Sequence, residues 1–311
     1  MGFEPAFQFA NAVSAPCYLV AGSYILLNSL MPRLSPVAAS IFVLVAVLGT
    51  NTIMYGSYDG AFSHVYSYFL CCCTVAIVSL PRRELSTEWR RGLALGVVIG
   101  LATMVRPTNL IGAPIILLIL PARPKDAAWT VAAFSAAFVV STLPQTAWWM
   151  ATTGSPISYS YHQEGFDFAH PHLLEFLFSV RKGVFFWCPV YLLLVVTALF
   201  APKERRIEAG VLLLIVAIFY YTCASWDPWA FGGSFGSRPA VDMLPYLVLA
   251  ASLALPAHIA PPLRLILGAL LLALVATNLT QAWGYISQEY IKFDETTWDN
   301  YVLFWRSVLH A

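Results

Sequence analysis

Eight apolar stretches follow one another along the chain, at roughly residues 8–30, 36–55, 61–80, 127–150, 184–201, 209–223, 240–256 and 263–283, and only short polar loops divide them. About 20 apolar residues of helix cross the hydrocarbon core of a bilayer. Inside that core a backbone must satisfy its own hydrogen bonds, so the pattern limits the chain to an all-α, polytopic integral membrane bundle. Charge supports this: only 11% of the 311 residues are Asp, Glu, Lys or Arg, whereas 59% are hydrophobic. A soluble domain carries about 25% charge. A soluble enzyme, a disordered chain and a nucleic-acid binder with a basic face are therefore excluded as classes.

Residues 92–120 break the pattern. Two apolar halves of about 14 residues each flank Arg106-Pro107, and each is short of a full crossing. Arg82, Arg83, Arg90 and Arg91 precede this segment, and Arg123 and Lys125 follow it. Because basic residues mark cytoplasmic flanks, both ends read as cytoplasmic and the segment as a short hairpin. Alternating the other spans around it places eleven of the seventeen basic residues inside, including Arg33, Lys203, Arg205, Arg206 and Arg264, and eleven of the sixteen acidic residues outside. The expectation is a membrane domain over 1–283 with about ten transmembrane or half-crossing helices, external loops at 151–183 and 224–239, and an external tail at 284–311. It also places the N-terminus outside, with no cleavable leader in the first residues to explain how it arrived there.

The six cysteines form neither a CxxC motif nor a His/Cys ligand spacing, so no metal or cofactor is expected. Cys71, Cys72 and Cys73 point about 100° apart on a helix and cannot converge on one ion. The unusual chemistry gathers on the external side. It consists of Asp59 and His64 at a helix entry, Arg106 at the hairpin apex, and the loop holding Tyr159, Tyr161, His162, Glu164, Asp167, His170 and His172. To these is added the run Trp226 to Arg238, with Asp242 and Pro245 beyond. A charge as deep as Arg106 needs a partner or water. The glycines of Gly232-Gly233-Ser234-Phe235-Gly236-Ser237-Arg238 permit close backbone approach to a ligand, and a guanidinium can hold a phosphate through two hydrogen bonds. Plainer readings apply as well: Asp59 also suits a turn, His64 an interfacial histidine, and Trp226 and Trp229 an aromatic belt.

Ser63-His64, Gly92 to Gly100 leading into Arg106-Pro107-Thr108, Thr153-Gly154-Ser155-Pro156, Arg181-Lys182-Gly183 with Pro189, and the Trp-rich glycine run into Asp242 and Pro245 occur in an order that resembles the GT-C class of polytopic bacterial glycosyltransferases, of the lipid-carrier-dependent, mannosyltransferase-like kind. The resemblance implies a multi-pass enzyme of the bacterial inner membrane. Such an enzyme takes a sugar from a polyprenyl-phosphate donor on the external face and passes it to a glycan, lipid or protein acceptor, with membrane lipid as a further partner and no nucleic acid. It implies substrate-binding roles for His64, Arg106, Trp226, Arg238 and Asp242. In such enzymes an acidic residue of the first external loop acts as catalytic base. The first span here matches the family's second, so an earlier span with its acidic loop is expected ahead of Met1, and Asp59 is the substitute base within this sequence. A transporter or flippase of lipid-linked sugars and a noncatalytic membrane protein of the same fold are the alternatives.

Overall fold

The computed structural model describes residues 4–81, 88–159, 161, 164–256 and 260–310. It is helical over 73% of the chain, with almost no strand. Prolines open many of the helices, since a residue without an N–H costs nothing in a first turn. They begin α1 (Pro5–Leu30), α2 (Pro36–Leu48), α6 (Pro124–Thr153), α9 (Pro189–Leu199) and α12 (Pro261–Ser287), introduced here in chain order with α3 (Thr52–Tyr55), α4 (His64–Ser79) and α5 (Glu88–Val105). Between α6 and α9 lie β1 (Gly165–Phe166), α7 (Leu173–Phe178) and α8 (Val184–Trp187). After α9 come α10 (Arg206–Ala224), β2 (Trp226–Asp227) and α11 (Ala240–Ser252), and α13 (Trp298–Leu309) ends the described chain.

Among the described residues, four helical segments are long and apolar enough to cross a membrane: Pro5–Leu30, Pro124–Thr153, Lys203–Ala224 and Pro261–Ser287. Five apolar helices are shorter. Their burial differs sharply. All thirteen residues of α11 are buried, whereas α6 buries only Thr130 and Ala137 along thirty residues. The core is therefore α11, with α4, α9 and α10 packed around it, and α6 stands at the periphery against α5.

The α5–α6 contact depends on glycines four residues apart. A Cβ at Gly92 would lie 2.4 Å from the Thr130 carbonyl oxygen, one at Gly96 2.2 Å from that of Phe134, and one at Gly100 2.7 Å from Ser141 Cβ. Small residues at this spacing let two helix backbones meet where no hydrophobic force between them is available in lipid.

The hairpin differs in detail from the expected pair of α-helices. Its first arm is α5, but the second, Pro107–Leu118, is a 3₁₀ helix. Pro107 and Pro114 each lack a donor, and Arg106 is extended at φ −151° and ψ 120°, which separates the arms. At about 2 Å per residue the twelve-residue arm reaches about 24 Å. Residues beyond 283 include the last turn of α12 and all of α13. The Thr297 side chain caps α13 by accepting from the Asn300 N–H at 3.3 Å, and Phe304 packs on Gly284, where a Cβ would lie 2.3 Å from the ring.

Candidate functional site

Three separate elements meet at a buried carboxylate. His64 begins α4, Arg106 stands at the junction of the hairpin arms, and Asp242 lies in the first turn of α11. The His64 Nδ1 is 2.8 Å from Asp242 Oδ1. Arg106 Nε is 3.0 Å from Asp242 Oδ2, an ion-pair contact out of line for a hydrogen bond. Arg106 Nη1 donates to Ser63 Oγ at 3.3 Å. Asp242 and His64 are both fully buried and Arg106 is only slightly exposed. The sequence suggested substrate contact for all three. The structure brings the three together at one buried carboxylate, with Asp242 paired to both His64 and Arg106.

A second group of charges lies against this triad. The Arg238 guanidinium sits 4.6 Å from the centre of the Phe62 ring, three residues from Asp59. Among the described residues the Arg238 side chain makes no hydrogen bond or ion pair, and its Nε is buried without an acceptor. Burial, aided by the like charge of Arg106, pulls its pKa below the usual arginine value, while Tyr55, Tyr161 and Tyr285 oppose this. Asp59 is half-buried and its Oδ2 has no hydrogen-bond partner. Burial raises its pKa above the ordinary carboxylate value, with Tyr285, Arg238 and Lys182 acting the other way.

Lys182 is the third member and the least expected. It is 2% exposed, and its Nζ donates to the carbonyls of Ser234 and of Phe293, the latter at 2.7 Å. Burial lowers its pKa to about 7, with Asp294 opposing and Arg181 and Arg238 assisting. The ammonium thus braces the glycine run from below. From the other side Asn51 Nδ2 donates to the Ser237 carbonyl at 2.9 Å, and Tyr55 both donates to the Phe235 carbonyl at 3.2 Å and accepts from its N–H at 3.1 Å. Gly236 holds φ +58° between these clamps, a left-handed conformation that costs an L residue side-chain clashes. The result is a fixed loop that presents Arg238.

Tyr285, Asn51, Tyr55 and Lys182 were not singled out as site residues in the sequence. Asn51 offered a signal, as a polar residue between two apolar stretches. Tyr285 offered none, because one tyrosine in an apolar helix reads as packing. Trp226 is 8% exposed, with its ring against Tyr161 at 5.1 Å and Phe166 at 4.7 Å, so it supports neighbouring rings and leaves little face open. Trp229 lies under Arg181 at 5.9 Å. His162 falls outside the described residues; His170 pairs with Asp167 at 3.0 Å on the surface. Among the described residues no group of three His, Cys, Asp or Glu side chains is placed to hold a metal.

Comparison with known proteins gives no match: no family model, no curated protein and no solved structure is similar to this chain.

Proposed function

We propose that the chain is a multi-pass membrane glycosyltransferase of the GT-C kind, or a part of one, that takes a sugar from a polyprenyl-phosphate donor on the external face of a bacterial inner membrane. The observation that carries this reading is Arg238. A half-buried guanidinium without an acceptor is a costly arrangement. An anionic ligand would relieve it, and a phosphate accepts two of its hydrogen bonds at once.

Asp59 stands near that guanidinium, and its Oδ2 makes no hydrogen bond within ordinary geometry, although the Tyr285 hydroxyl lies near enough to favour its ionised form. In the proposed reaction its carboxylate accepts the proton of the acceptor hydroxyl as that oxygen bonds the anomeric carbon. The bond from the anomeric carbon to the phosphate oxygen breaks, and Arg238 stabilises the charge that develops on the leaving polyprenyl phosphate. Arg106 is partly committed to Asp242, so its part is to add positive potential behind Arg238. The four long apolar helices are compatible with a donor whose chain lies in a bilayer.

The test uses the full chain in lipid nanodiscs with a polyprenyl-phosphate hexose. Arg238→Leu should weaken donor binding about tenfold or more, which is about 1.4 kcal/mol. Arg238→Lys should restore only part of the loss because it lacks the planar fork, and Asp59→Asn should abolish transfer. An Arg238→Leu protein that binds donor as well as the unaltered chain overturns the phosphate role. An active Asp59→Asn protein removes Asp59 as the base, and an unaltered chain that binds donor without transferring its sugar favours the noncatalytic alternative.

A further inference from the structure

We infer that the rings around β1 and β2, with the adjoining end of α10, form a carbohydrate-binding platform. Tyr159, Tyr161, Phe166, Phe168, Tyr221 and Trp226 make one continuous group of rings. Phe166 and Phe168 are nearly parallel, at 5.3 Å and 7°, and Tyr221 continues the row from Phe168 at 6.4 Å and 15°. Five of the six are open: Phe166 is 41% exposed, Phe168 53% and Tyr161 56%, and Tyr159 and Tyr221 are similar. Only Trp226 is buried, and it backs the others.

The platform is fixed. Phe166 pairs with Trp226 across β1 and β2, the Asp167 N–H donates to the Ser225 carbonyl at 2.7 Å, and the Tyr221 hydroxyl donates to the Phe168 carbonyl at 2.6 Å. Ring faces held in advance are suited to the C–H faces of a sugar, since a rigid surface loses little entropy on binding. Exposed aromatics at a membrane protein's edge also suit the lipid interface. Here the charges decide between the two. Glu164, Asp167 and His170 are interleaved with the rings and exposed, and the Asp167–His170 pair sits in the open. Placing them in a bilayer would cost their hydration, whereas beside a glycan they remain wetted and can bond its hydroxyls. Tyr161 also lies within electrostatic reach of Arg238. Assigning it to the acceptor rests on the transferase reading and makes that acceptor a glycan; its affinity for carbohydrate does not depend on that reading.

The experiment titrates the full chain in nanodiscs with cellohexaose, mannohexaose, chitohexaose and maltohexaose, observed by saturation-transfer NMR and tryptophan fluorescence. At least one should saturate below about 10 mM. The double variant Phe166→Ala/Phe168→Ala should weaken it about tenfold or more through loss of two ring faces. If that variant does not fold, Phe168→Leu, which keeps the apolar bulk and loses the ring, should show a smaller loss in the same direction. Glycan binding is measured without donor, and that separates a failure here from a failure of the donor site. Absence of binding by all four sugars, or equal binding by the ring variants, overturns the proposal. So does quenching of a Phe168→Trp protein by brominated acyl chains, which would assign the rings to lipid.

Discussion

Arg106 and Arg238 both reach the same end of the bundle, yet their surroundings are opposite. Arg106 is closed into a triad with Asp242 and His64, elements of three different helices, and its charge is answered inside the protein. Arg238 leans on a ring face and has no acceptor, although the loop that carries it is clamped by Lys182, Asn51 and Tyr55. Both cations are held in place, but only one is left unsatisfied. The difference separates an arginine whose charge is paired inside the protein from one whose guanidinium has no acceptor there.

The largest effect should come from opening the triad. Asp242→Asn leaves Arg106 and His64 facing a neutral group in a sealed site, and losing one partner of a buried ion pair costs about 3–5 kcal/mol. Thermal unfolding in nanodiscs should show this as a large drop in midpoint. Arg238→Leu should leave the midpoint almost unmoved, since it removes no partnered charge. Equal losses in the two variants would erase the distinction between the arginines.

A pH series sharpens the contrast at the clamp beneath Arg238. The folded pKa of Lys182 is about 7, below its ordinary 10.5, so between these values the unfolded chain binds the additional proton. Burial of Lys182 therefore costs most below pH 7, and stability recovers as pH rises toward 10.5, at up to about 1.4 kcal/mol per unit. Lys182→Met should remove that slope while losing the two hydrogen bonds to Ser234 and Phe293. Parallel stability profiles for the two proteins from pH 7 to 10 would show that Lys182 is not held as described.

The smallest effect concerns aim. Gly236→Ala places a side chain at φ +58°, at a cost of about 1–2 kcal/mol. Its stability loss should thus be less than that of Asp242→Asn, while donor binding should fall, because Arg238 lies two residues beyond. A variant with ordinary donor affinity would mean that the loop conformation does not set the position of Arg238.

Much of the helical architecture was legible in the residues. Most of the apolar stretches and the interruption at Arg106-Pro107 appear in the structure, since hydropathy and a charge in an apolar run are local properties. The 3₁₀ form of the second hairpin arm was not legible, because its two prolines disturb a helix without specifying which helical form replaces it. The ordered α13 was concealed by its mixed composition, in which Trp298, Tyr301, Phe304 and Trp305 alternate with charges and read as a tail. At the site, the sequence indicated His64, Arg106, Arg238 and Asp242 as polar residues at breaks, but not which of them neutralise one another.

What the sequence determined alone is therefore the helical, apolar character of the chain and the residues too polar for the places they occupy. Tertiary structure decided the partnerships. His64 and Asp242 are 178 residues apart, and no helical period relates positions on different helices. Only the packing of α4 and the hairpin around the buried α11 brings one carboxylate to His64 and Arg106 and leaves Arg238 without one. A charge in low dielectric is stabilised or penalised by its neighbours within a few ångströms, and chain order does not fix those neighbours.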